Sequence, residues 1–182
     1  MRAVKENDLL KLGLNSVECR VLHRVFGELL RNYAVAPEQM EAQAATAWYS
    51  KRGCTAAKMS AEETREWRAH LHGLKCANAV RIEEWRRQLA RIPAGPCQLQ
   101  LKFDEAPNLI TVLNDHRLLA AACHGIGQGE MDLQTSSALD RLSLEQQSAL
   151  YEIHFLAYAM EEILRLLLDD GMEHQDLPPP TT

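Results

Sequence analysis

Apolar residues recur along most of this chain at helical spacing. In "LNSVECRVLHRVFGELLRNY", Val17, Val21, Leu22, Val25, Phe26, Leu29, Leu30 and Tyr33 fall on one broad face, the stripe of an amphipathic helix. Asn15 stands at the cap position, and Glu18 three residues later completes a capping box. Pro37 at a first-turn position opens a second helix that stops at Gly53, with a weaker stripe of Met40, Ala44, Ala47 and Trp48. Ser60 and Glu63 repeat the capping signature ahead of a third helix. Here Trp67, Leu71, Leu74, Asn78, Ile82, Trp85 and Leu89 alternate in steps of three and four. That is a narrow seam on one continuous helix of roughly 50 Å, ended by Pro93, Gly95 and Pro96.

The period then changes. In "CQLQLKFDE", Leu99, Leu101 and Phe103 alternate with Gln98, Gln100 and Lys102, which predicts a short strand. A lone strand leaves its backbone groups unpaired, and Asp8 to Leu14 is the best partner for a two-stranded ribbon. Pro107 opens a fourth helix that runs into glycines 125, 127 and 129, a helix stop and flexible connector. A polar connector, "DLQTSSALDRL", with room for a short helical turn, leads to Ser143 and Gln146, a further capping pair, and then to a last helix ending at Gly171. The sum is a mainly α, single-domain bundle of about five helices with a short two-stranded β ribbon over 1–171. Residues 172–182 have the composition of a disordered tail.

Four consecutive polar residues interrupt the fourth helix: Asn114, Asp115, His116 and Arg117. At roughly 100° per residue they spread over about 300° of its circumference, so no single solvent face holds them all. His116 falls among Leu109, Val112, Leu113, Ala120 and Cys123, while Asp115 points nearly opposite. Even that far side carries Leu118, which predicts a central helix covered all round and a core position for Cys123. A buried Arg117 needs a carboxylate, and the last helix offers one. With Leu150, Ile153, Ala157, Met160, Leu164 and Leu167 as its core face, Glu161 lies at the border beside His154, Tyr158 and Arg165. The expected pair is Arg117–Glu161, or Arg117–Glu162 if the helix is rotated. The candidate polar cluster is thus Asn114, Asp115, His116, Arg117, His154, Tyr158 and Glu161, foremost a network that fixes helix register and otherwise a ligand site.

Composition narrows the functional classes. Hydrophobic residues make up 46% and charged residues 25%, as in ordinary globular proteins. A formal charge of -5 argues against nucleic acid, which needs a concentrated basic surface. The basic run Arg81, Arg86, Arg87 and Arg91 is interleaved with Glu83 and Glu84, a solvated, salt-bridged face. Five widely spaced cysteines without a CxxC pair point to reduced thiols in a cytoplasm. No signal core or membrane-length apolar stretch is read, so no membrane partner is expected. No cofactor or metal is expected either. His116 and His124 lie roughly 12 Å apart along one helix axis, and no glutamate precedes a histidine by three residues as di-iron bundles require. "GIGQGE" follows a helix and lacks the Lys-Ser/Thr pair of a phosphate loop.

The runs "VLNDHRLLAAACHGI" and "YEIHFLAYAMEEILRLLL" resemble an uncharacterised bacterial family of small cytoplasmic helical proteins, best known from actinobacteria and described only as a domain of unknown function. Leu113, Asn114, Asp115, Arg117 and Leu118 match its Leu-Asn-Asp-x-Arg-Leu motif over about half the chain. His116 replaces a typically apolar residue, and "LAAACHGIGQG" stands where the family has L-G-x-x-L-G. The resemblance implies no activity. It does imply a link to Clp-type proteolysis, because the family's genes often lie beside the Clp adaptor. The leading expectation is a non-enzymatic interaction or regulatory protein whose partner is itself, the Clp-adaptor system or another protein, docking through the seam of Trp67, Leu71, Asn78 and Trp85. The alternative is a small-ligand binder or hydrolase using Asn114, Asp115, His116 and Arg117, with Arg117 holding an anionic group and Asp115 or His116 moving a proton.

Overall fold

A computed structural model describes residues 1–49, 59–90, 97–131 and 139–173. The architecture is mainly helical, with a small antiparallel sheet at one end. In chain order the elements are β1 (Arg2–Glu6), β2 (Leu9–Leu14), α1 (Ser16–Tyr33), α2 (Ala42–Trp48), α3 (Ala61–Cys76), α4 (Ala79–Ala90), β3 (Cys97–Lys102), a 3-10 turn (Phe103–Glu105), α5 (Ala106–His124), α6 (Gln128–Met131) and α7 (Leu144–Glu173). Among the described residues no helix is long and apolar enough to cross a membrane.

The predicted pairing of Asp8–Leu14 with the Gln98 segment is present, with Leu10 opposite Leu101 and Leu12 opposite Leu99. The ribbon is one strand wider than expected. Arg2–Glu6 pairs with β2, Glu6 facing Leu9, which leaves a two-residue turn at Asn7–Asp8 with Asn7 at φ 53°. Asn tolerates that left-handed geometry better than most residues. The buried face of the sheet carries Ala3, Leu10, Leu12, Leu14, Leu99 and Leu101. Phe103 lies just past β3 and is half-buried beneath the Lys5 ammonium, 4.4 Å from the ring centre.

Helix α1 begins where its capping box predicts. The Asn15 side chain accepts from the Glu18 backbone N–H at 2.9 Å, and Glu18 accepts from the Asn15 N–H at 2.8 Å. Helix α2 starts five residues later than Pro37 implies. The chain first makes a turn, with Gln39 N–H donating to the Ala36 carbonyl at 2.9 Å, and only then does Ala45 N–H reach back to Glu41. Gly53, its expected stop, lies outside the described residues, as do Pro93, Gly95 and Pro96, most of the "DLQTSSALDRL" connector and the tail beyond residue 173.

The long third helix is a correction: it is two helices. Asn78 donates its N–H to Lys75 in a tightened turn, and its carbonyl accepts from Ile82 to start α4. Asn is among the best residues for opening a helix, so what reads as a polar seam residue is a restart point. The break lets Ile82, Trp85 and Leu89 enter the main core against α1, while α3 has no fully buried residue. Trp85 packs on Phe26 with ring centres 5.9 Å apart.

Helix α5 runs from beside Pro107 to Gly125, whose φ of 63° caps it in the left-handed region that glycine adopts without strain. It packs along α7 and α2. It is not covered all round, because Thr111, Leu118 and Cys123 are exposed. The sequence expectation of a core Cys123 is therefore corrected. In α7 the buried positions Ala149, Leu156, Ala159 and Ile163 each precede by one residue the expected Leu150, Ala157, Met160 and Leu164, although Leu150 and Ile153 are buried as predicted. The difference turns on Glu152, a carboxylate in the middle of the true buried face.

Candidate functional site

Neighbouring residues on a helix diverge by about 100°, so Asp115 and His116 serve two different places. Both are buried, at 4% and 2% exposure. Asp115 faces α1, α2 and α3. Its carboxylate accepts from the Tyr33 hydroxyl at 2.6 Å and pairs with Lys75, and its backbone carbonyl accepts from the Trp48 indole N–H at 2.8 Å. Lys75 also lies 5.1 Å from the centre of the Trp48 ring, which in turn packs on Tyr33 at 5.2 Å. Close by, the Tyr49 hydroxyl meets His72 Nδ1 at 3.1 Å, and Cys76 Sγ lies 3.3 Å from His72 Nε2. Every strong donor and acceptor of Asp115 has a partner, as a buried carboxylate requires. This half of the polar run locks four helices together.

The tyrosines of this half respond to burial. Desolvation, reinforced by the Asp115 charge, raises the Tyr33 phenol far above its ordinary value of 10.0. Burial likewise pushes Tyr49 up to about 12. Both groups are protonated in the folded and the unfolded chain below pH 10, so their contribution is fully present there. As pH rises the unfolded chain ionises first, and stability falls until the folded phenols titrate. Chemical denaturation between pH 9 and 12 should therefore show stability decreasing, and Tyr33→Phe should remove up to about 1.4 kcal/mol per pH unit of that slope. An unchanged slope would mean the Tyr33 phenol is not held neutral by the fold.

His116 turns to the other side. Its Nε2 lies 2.7 Å from a Glu152 carboxylate oxygen and 3.8 Å from Glu28. Glu152 pairs through its second oxygen with Arg24, whose other terminal nitrogen reaches Glu28 at 3.3 Å. A carboxylate accepts, so Nε2 carries a proton and donates to Glu152. The ring's Nδ1 is buried and without a hydrogen-bond partner among the described residues. A buried polar atom left unpaired costs about 1–3 kcal/mol, which makes this atom an exception needing an explanation.

His116 and Glu152 lie in the wall of an open cleft of about 420 Å³ between α1, the turn before α2, α2, α5 and α7. Arg24, Glu28 and Asn32 come from α1, Gln39 and Glu41 from the turn, and Cys123 and His124 from the end of α5. Partial desolvation at the cleft wall, with the charges of Glu41 and Glu28, raises the Cys123 thiol above its ordinary value. The thiol is thus no activated nucleophile. A second depression of about 530 Å³ lies between α4 and β3. Several of its polar groups are paired, Arg81 with Glu105 at 3.2 Å and Gln88 with the backbone of Gln100 at 2.9 Å. Among the described residues no group of three or more His, Cys, Asp or Glu is arranged to hold a metal ion.

The remaining candidates separate. Asn114 is half-buried. The expected Arg117–Glu161 or Arg117–Glu162 pair does not form: Arg117 Nη1 rests 3.7 Å from Met160 Sδ, its Nε has no hydrogen-bond partner among the described residues, and Glu162 pairs with Arg165. His154, Tyr158 and Glu161 are exposed on the outer face of α7, because the helix is rotated by about one residue from the expected setting. Of the seam, Trp85 and Asn78 are buried, and Trp67 and Leu71 are half-buried against the core. Sequence reasoning missed Arg24, Glu28, Tyr33, Lys75 and Glu152 as partners. The one available signal was Glu152, a charge recurring in phase with Ala149, Leu156, Ala159 and Ile163. No protein-family model, curated protein or solved structure matches the chain.

Proposed function

We propose that this chain is a small-ligand-binding protein and that the cleft beside His116 is its site. The observation that carries this reading is the cleft of about 420 Å³ itself, with the buried His116–Glu152 pair, the Arg24–Glu28 pair and Glu41 converging in its wall. Cavities of that size with a few convergent polar groups are the usual form of small-molecule sites. The arrangement supports binding rather than turnover, since among the described residues His116 has no nucleophile hydrogen-bonded to it and Cys123 is disfavoured as a thiolate. The described cysteines are all free thiols, which supports a reducing compartment, the cytoplasm.

The test is a thermal-unfolding screen of charge-diverse metabolites on wild type and Cys123→Trp, which places an indole at the cleft from an exposed position. At about 100 times Kd a ligand stabilises by about 2.7 kcal/mol, or roughly 5–10 °C for a chain of this size. At least one compound should shift wild type and not the variant. A broad set that shifts neither would remove the reading.

A second reading, an interaction or regulatory role, has its own observation. Tyr151 (62% exposed), Tyr158 (46%), Leu164 (42%) and Leu168 (68%) are apolar side chains exposed along α7, and exposed large apolar groups gathered on one helix can serve as contact anchors. The resemblance to the actinobacterial family, with its implied link to Clp-type proteolysis, belongs to this reading.

A further inference from the structure

Resting on the ligand-binding reading, we propose that the cleft takes a small organic cation, an alkylammonium or guanidinium, in preference to an anion. Three carboxylates line it, Glu28, Glu41 and Glu152, against one guanidinium, Arg24. Arg24 is committed within the wall, one terminal nitrogen to Glu152 and the other to Glu28. An arriving anion would therefore meet three carboxylates and a guanidinium already held by two of them. Glu41 is exposed and makes no ion pair among the described residues, so its charge is open to a ligand.

The hydrogen-bonding capacity points the same way. Glu28 and Glu41 only accept when ionised. An ammonium has three donors and no acceptor, which complements a wall of carboxylate acceptors. The field at the rim is negative, since the Glu41 and Glu28 charges both act on the Cys123 thiol. A divalent metal fits less well, because among the described residues no cluster has metal-holding geometry.

Three probes of one length separate the classes: cadaverine, glutarate and 1,5-pentanediol, each tested by thermal unfolding and calorimetric titration of the full chain, with manganese and zinc chloride beside them. Cadaverine should bind and raise Tm, while glutarate and the diol should not. Glu41→Gln and Glu28→Gln should each weaken cadaverine by roughly two- to fivefold. Raising the salt concentration should weaken it further. A cadaverine effect untouched by either variant would place it on the acidic surface elsewhere and overturn the proposal. A shift with glutarate, the diol or a metal ion, without one for cadaverine, would overturn the cation class and leave the cleft reading standing. Silence from all five probes overturns the cation class, and the cleft reading falls with it only if the broad metabolite screen is silent too.

Discussion

Asp115→Ala is expected to remove about 3–5 kcal/mol of unfolding free energy, the size of effect seen when one partner of a buried charge pair is deleted. The truncation leaves Lys75, whose side chain is 14% exposed, without its carboxylate, and it leaves the Tyr33 hydroxyl without its acceptor. Asp115→Asn should cost less, because its amide oxygen still accepts from Tyr33. The Trp48 bond goes to the backbone carbonyl and survives both changes. Urea denaturation of the three proteins gives the comparison. A loss below about 1 kcal/mol for alanine would mean that the Asp115 network is incidental to the fold.

Trp85→Ala is the second large effect, about 3–5 kcal/mol, as for other buried aromatic residues cut to alanine. Trp85 is 1% exposed and packs on Phe26 between α4 and α1. Val25, Leu29, Ile82 and Leu89 are buried in the same core, and neighbours fill the cavity left by a truncated core aromatic only in part. Trp67→Ala, on a half-buried residue at the edge of the core, should cost less than half as much. Equal, small losses at the two tryptophans would instead describe a seam presented to a partner.

The contrast between these residues shows what the sequence made legible. Helices α1, α5 and α7 could be placed because their apolar periods and caps are local: Asn15 with Glu18, Ser143 with Gln146, and Gly125 at a helix end. The β2–β3 pair was legible from two-residue alternation, whereas β1 was not, since Lys5 and Glu6 mask its short alternation and Asn7–Asp8 lacks the glycine of a strong hairpin signal. The α3–α4 break carries no proline or glycine, and Asn78 looks the same in a seam as in a helix start. Partners were the least legible. Tyr33 and Asp115 are 82 residues apart and Arg24 and Glu152 are 128 apart, and no local pattern records such distances. Periodicity also discounted the face of α7 bearing Glu152, because a charge lowers its apparent apolarity. Only the fold reveals that Arg24 and His116 satisfy it.

The polar run on α5 is thus divided by about 100° of helix into Asp115, which holds four helices, and His116, which lies in the cleft. The measurement that tests this division most directly is the cadaverine-induced Tm shift, taken side by side in wild type, Asp115→Asn and Glu41→Gln. Asp115→Asn should unfold at a lower temperature yet keep a wild-type ligand shift, while Glu41→Gln should unfold as wild type does with a reduced shift. A ligand shift abolished by Asp115→Asn and unchanged by Glu41→Gln would contradict the account.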